Sequence, residues 1–399
     1  MEKNMTEKTR TRNYGIDILK MLSMFLVIQV HMLGNGQALN RDPKQINFFA
    51  GYYMYIISYS AVDIFAMISG YLIVKSKYSR FKIIPLWLTV FYYSTIITLL
   101  FKFVPSLSKM HEVTITELLQ SILIPTISER YWYFTAHFCI YFFIPSLNHL
   151  ICTYSKKQLQ ELIVTIIVIF TFLPYFNGNK DVFCVEYGYS PLWLASLYII
   201  GAYFRLYPIK ISKLKCFGLY LIVVTCTWIP KALTRYHSFF NFSNGIIAYP
   251  SIFIVSSAAL LLILFSQFEI NNKILQKLIV LGSSLSFSVY LIHDNLILHS
   301  HYFKDKFIKV KGSNPLIYPF KVLFIVTTIY IICLTIDLIR YYLFKALKIN
   351  KIPIILIQLL EKKRIEKNNN EKNQDEESTE ILNKTYPKSN NSQTITINL

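Results

Sequence analysis

Acidic residues are scarce in this chain. Its 399 residues hold 22 Asp and Glu against 41 Lys and Arg, a formal net charge of +19. Charged residues of both signs make up only 16% of the sequence, whereas 54% is hydrophobic and 16% aromatic, and mean hydropathy is +0.41. So little charge on so apolar a chain excludes an ordinary soluble domain and reads as a polytopic membrane protein. In that setting the basic excess points to Lys- and Arg-rich cytoplasmic loops rather than to a nucleic-acid partner. Cysteine is also sparse. Cys139, Cys152, Cys184, Cys216, Cys226 and Cys333 are scattered singly, with no C-x-x-C and no metal-ligand spacing, which indicates neither a disulfide framework nor a metal site. No small-residue cleavage site follows the charged segment M-E-K-N-M-T-E-K-T-R-T-R, so the first apolar stretch reads as a retained helix rather than a signal peptide. The sequence has no clear internal repeat and no room for a fused soluble enzyme domain.

What is present is a succession of apolar segments. About ten spans are expected, near 14–34, 48–74, 83–104, 132–150, 161–176, 190–206, 216–231, 246–267, 278–298 and 318–342. The fold class is therefore all-α, a polytopic membrane protein with about ten transmembrane helices. Lys3, Lys8, Arg10 and Arg12 precede the first span; Lys75, Lys77, Arg80 and Lys82 separate the second and third. Lys156 and Lys157, then Arg205, Lys210, Lys213 and Lys215, then Lys273 and Lys277 fall on the same side, which the positive-inside rule makes cytoplasmic. Lys304, Lys306, Lys309 and Lys311 disagree and fall outside. Residues 1–12 form a cytoplasmic segment, 13–345 the membrane domain, and 361–399, rich in charge, Asn, Ser and Thr, a disordered cytoplasmic tail. Between spans three and four, Thr114 to Leu123 is amphipathic and suits the membrane surface.

The first span carries an acid, a base and a histidine on otherwise apolar helix. Lys20 and His31 are eleven positions apart and so about 20° apart in direction; Asp17 lies about 40° from His31. Asp17, Lys20, Met24, Val27 and His31 thus form one stripe. Ionisable groups within a span cost a few kcal/mol each and face a protein interior or a wet cavity. Two readings stand: a working site, or an Asp17–Lys20 pair at the membrane edge with a satisfied histidine above it.

Other polar groups recur along the chain. In V-D-I-F-A-M-I-S-G-Y-L-I, Asp63, Ala66, Met67 and Gly70 share a face, which fits either close helix packing or a site. Arg80 and Lys82 suit phosphate groups or simple topology signalling. Trp132 opens the fourth span at an aromatic belt, and His137 lies deeper, as a cavity residue or a structural one. In L-G-S-S-L-S-F-S-V-Y-L-I-H-D-N-L-I, His293–Asp294 stands near the outer end, where pairing with the outer loop is the simpler reading.

Taken together, D-I-L-K-x10-H, V-D-I-F-A-M-I-S-G-Y-L-I, Y-W-Y…Y-F-F-I-P-S-L-N and S-F-S-V-Y-L-I-H, in that order, resemble the acyltransferase-3 family over about residues 13–345. The resemblance implies an integral membrane enzyme that moves acetyl from cytoplasmic acetyl-CoA, a substrate rather than a bound cofactor, to an extracytoplasmic carbohydrate. G-Y-S-P-L-W-L…G-A-Y is similar to the Gram-positive branch that decorates capsule or other exported polysaccharide, in the bacterial plasma membrane with both termini cytoplasmic. It implies His31 as general base, with Lys20 and Asp17 beside it; Lys20, Arg80, Lys82, Ser69 and Gly70 for the acyl donor; and Asp63, Trp132, His137, Tyr290 and His293 for the acceptor, a polysaccharide or lipid-linked glycan. Where the family has arginine, ten intervening residues and then the histidine, this chain has Lys20, which keeps the charge and loses the bidentate fork. Before the third span it has Arg80 and Lys82 in place of two arginines. A carrier that exports polysaccharide or lipid-linked sugar is the alternative that composition alone permits.

Overall fold

The computed structural model describes residues 12–126, 131–178, 180–237, 243–363 and 366; the expected N-terminal segment and tail fall largely outside these. Among the described residues every element is helical. The longer helices are α1 (Tyr14–Leu33), α2 (Ile46–Tyr59), α3 (Ala61–Ile73), α4 (Ile84–Phe103), α5 (Ile115–Leu123), α6 (Trp132–Thr153), α7 (Lys156–Ile167), α8 (Pro191–Leu206), α9 (Lys213–Leu233), α10 (Ile252–Ser266), α11 (Lys273–His293) and α12 (Tyr318–Ala346). Eight helical stretches are long and apolar enough to cross a membrane; α2 and α3 together make one, broken at Ser60, and α7 runs on through a π-wound turn to Phe176 as another. The expected sixth and eighth spans, α8 and α10, are apolar but shorter. Sixteen residues of helix rise only about 24 Å, less than a bilayer core of about 30 Å.

α1 lies at the centre. Of its apolar window 67% is buried, against 22% for α12 on the rim. A helix that is apolar nearly all round must be enclosed, and α1 is surrounded by α2, α3, α10, α11 and α12. Asn13 caps it by accepting from the Ile16 amide at 3.1 Å, and donates to the Ser266 carbonyl at 2.8 Å. α3 packs hardest on α8. A Cβ on Gly70 would meet the Tyr198 carbonyl, and one on Gly201 the Met67 carbonyl, so the backbones touch where only glycine fits.

A buried ion pair ties α12 to α4. Asp337 accepts from Arg340 at 2.7 and 2.6 Å and from the Tyr93 hydroxyl at 2.6 Å. Arg340, expected at the end of the last span, is enclosed. At the His31 end of α1, residues 303–313 fold onto the turn after α1. The Asp305 and Phe307 amides donate to the carbonyls of Asn35 and Gly36, and Asn47 donates to those of Lys311 and Ser313. The lysine-rich stretch that disagrees with the charge rule thus lies at the His31 end. The amphipathic α5 forms as expected, with Thr114 and Glu117 closing a capping box.

Candidate active site

The polar stripe of α1 faces two cavities. Nearest the end of α1, Met24, Val27, Val30 and His31 line a narrow cavity of about 20 Å³ with Val62 and Phe65 of α3, Trp132 and Tyr133 of α6, Tyr249 and Tyr290. Toward its start, Lys20 lines a cavity of about 250 Å³ with Phe65, Ser69, Tyr133, His137, Leu86 and Ser283, among others. Eleven residues of helix separate Lys20 from His31 by about 16 Å, so the two cannot touch.

His31 is held through one nitrogen. Its Nδ1 lies 3.4 Å from Asp294 Oδ1 and 3.2 Å from His293 Nε2. The other nitrogen of His293, Nδ1, is 2.6 Å from the Val289 carbonyl one turn back in α11. A carbonyl only accepts, so Nδ1 of His293 carries the proton and, in the neutral ring, Nε2 is a bare acceptor. His31 Nδ1 must then donate, to His293 and to Asp294. The tautomer is assigned from these partners. It leaves Nε2 of His31 as a lone pair beside the cavity, the form a general base requires. Asp294 caps α11; His299 completes the cluster, its ring 5.9 Å from His31 and stacked on Phe303. His31, Asp294 and His299 present ligand atoms within 4.8 Å of one another and could hold a divalent metal ion.

At the other end, Asp17 is committed elsewhere. It pairs with Arg12 at 2.6 and 3.2 Å and accepts from Ser283 at 2.7 Å, while Lys20 Nζ stands 3.8 Å off. Asp17 therefore anchors α1 to α11 and biases Lys20, far from His31.

The remaining expected residues divide. Trp132 and Tyr290 line the His31 cavity; Ser69 and His137 line the Lys20 cavity. Both ring nitrogens of His293 are engaged within the protein, so it positions His31 rather than facing a ligand. Gly70 serves the α3–α8 contact and lines neither space, because a side chain there would strike the Tyr198 carbonyl. Asp63 is fully buried, accepts from Trp193 Nε1 at 3.3 Å and lines neither cavity. Arg80 and Lys82 are exposed on the turn before α4, with Lys82 donating to the Lys77 carbonyl at 2.6 Å. They lie outside the Lys20 cavity, one helical turn before its wall residue Leu86. Sequence reasoning did not assign Asp294 or Tyr133 to the site. The dipeptide His293–Asp294 was a signal for the first; nothing in the pattern distinguished Tyr133 from an interfacial aromatic.

No curated protein and no solved structure matches the chain significantly. A family model described as an acyltransferase domain matches residues 13–336, and with more than half of its length matched the chain belongs to the acyltransferase-3 family, as a membrane acyltransferase.

Proposed function

We propose that this chain transfers an acetyl group from cytoplasmic acetyl-CoA to a hydroxyl of an exported cell-surface polysaccharide, with His31 as general base. The observation that carries this is the tautomer of His31, fixed through His293 and Asp294 so that Nε2 is free. The basic connections make the Lys20 end cytoplasmic and the His31 end extracytoplasmic. The CoA phosphates then meet Arg80 and Lys82 and the arm enters beside Lys20. Its length matches the task, because the thioester must cross about 16 Å to reach the histidine. The acceptor sugar comes from the other side, where Trp132, Tyr249 and Tyr290 give the cavity aromatic walls suited to the apolar face of a sugar ring.

In the reaction, Nε2 of His31 takes the proton from the sugar hydroxyl as its oxygen attacks the thioester carbon. The new C–O bond forms, the C–S bond breaks, and the leaving CoA sulfur recovers the proton from the imidazolium. Asp294, beside Nδ1, stabilises the imidazolium in between. The test is the ester content of exported polysaccharide, read by NMR in a deletion strain complemented with wild type or His31→Ala. Acetyl signals restored by wild type alone support the assignment. Equal esters with His31→Ala would refute it, and unchanged esters with reduced export would make the chain an exporter.

A further inference from the structure

The lining residues common to the two cavities are Phe65 and Tyr133. Their rings meet edge to face with centroids 6.0 Å apart. His137 lies with its ring 8° from parallel to that of Tyr133, centroids 6.2 Å apart. The backbone amide of Tyr133 donates to the Tyr290 hydroxyl at 3.3 Å, fixing the first turn of α6 against α11. The ring is thus held on several sides, and Tyr133 is 6% exposed. Yet its own hydroxyl has no hydrogen-bond partner among the described residues. A buried donor left unpaired is costly, and this one stands in the wall between the donor cavity and the base.

Acyl transfer needs such a donor. As the thioester carbon becomes tetrahedral its oxygen takes on negative charge, and enzymes meet it with pre-placed N–H or O–H groups. Backbone amides usually supply them. In a bundle of membrane helices those amides are spent on their own helices, so a side chain must serve.

Resting on the acetyltransferase reading above, we propose that the Tyr133 hydroxyl is the donor to the acyl oxygen. The thioester, threaded past Phe65, presents its carbonyl oxygen to Tyr133 Oη while its carbon faces the sugar hydroxyl activated by His31. The tyrosine keeps its proton throughout and donates a hydrogen bond that strengthens as the oxyanion forms. When the intermediate collapses, the C–S bond breaks and the oxygen returns to a carbonyl.

The test uses the full chain in nanodiscs, radiolabelled acetyl-CoA, and polysaccharide purified from the deletion strain as acceptor. Wild type, His31→Ala and Tyr133→Phe are compared. Tyr133→Phe is expected to lower kcat about 100-fold, the usual loss for one oxyanion donor, with KM for acetyl-CoA little changed. Its melting temperature should stay level or rise, because the deleted hydroxyl had no partner. A kcat within threefold of wild type overturns the proposal, as does a loss of activity that only tracks a lower melting temperature. Mass-spectrometric detection of acetyl on Tyr133 also overturns it, by making the residue a nucleophile. A wild type that transfers nothing, or a His31→Ala variant equal to it, instead removes the underlying acetyltransferase reading.

Discussion

Asp294→Asn separates the charge of the carboxylate from its shape. The amide oxygen can still accept from His31 Nδ1, and His293 still fixes the tautomer, so only the ion pair with the transient imidazolium is lost. Nδ1 and Oδ1 are 3.4 Å apart. With about 4.5 Å between centres of charge and an effective dielectric near 20, the attraction is about 3.7 kcal/mol. The two side chains are 17% and 16% exposed, and solvent screening brings this to about 2–3 kcal/mol. The expected loss in kcat is therefore about 30- to 150-fold, with KM for acetyl-CoA unchanged, since the charge develops only after binding. Initial rates of acetyl transfer at saturating donor measure it. Adding His293→Phe should make the pair lose more than the sum of the single losses, because only a neutral amide oxygen then holds the proton on Nδ1. An unchanged kcat in Asp294→Asn, or a loss confined to KM, would refute the dyad.

Other expectations concern the donor end, stability and pH. Lys20→Ala should raise KM for acetyl-CoA about tenfold while Lys20→Arg stays within about threefold, because the role assigned here needs charge rather than a fork; equal KM values in steady-state titrations would contradict it. Asp337→Asn leaves the Arg340 guanidinium enclosed without its counter-charge and should cost about 3–5 kcal/mol, read as a lower unfolding midpoint in detergent. Glu117 is raised by partial burial, but hydrogen bonds from the Thr114 amide and hydroxyl and the contact with His111 outweigh this and hold its carboxyl below the ordinary value. A depressed acid stabilises the fold above its unfolded pKa, about 4.3, and that support disappears as pH falls through the lowered value. The protection of the amides across residues 114–123 against exchange should accordingly fall as pH drops through that lowered value and show no such step in Glu117→Gln.

The stripe on α1 was legible because helical periodicity puts Lys20, Met24, Val27 and His31 on one face whatever surrounds them; both cavities open onto that face. What the sequence hid were the partners. His293 and Asp294 meet His31 across 262 and 263 positions, and their meaning rests on a single backbone carbonyl, that of Val289, which sets the tautomer. Gly70 followed the small-residue spacing that serves close helix contact as well as it serves a ligand, and the contact with Tyr198 took it. Asp337 and Arg340 pair within one turn of α12, but the Tyr93 hydroxyl that completes their enclosure comes from α4, 244 positions before Asp337, where no sequence pattern points to it. The expected sixth and eighth spans are apolar along most of their length, yet composition alone does not show where a helix stops; Ser190 and Ser251 precede α8 and α10, which end at Leu206 and Ser266.

The central place of α1 also bears on how the chain is made. It leaves the ribosome before the helices that enclose it, and three of the groups that complete its polar stripe, Ser283, His293 and Asp294, are translated some 260 residues later. At about 5–20 residues per second, α1 waits roughly 13–50 s with Asp17 and His31 unaccompanied by them. During that interval lipid is a poor host for it. The nascent helix must be sheltered at the insertion machinery or lie close to the water, and a chain cut short after α10 would present to membrane quality control an imidazole without its partners and an acid held by Arg12 and Lys20 alone.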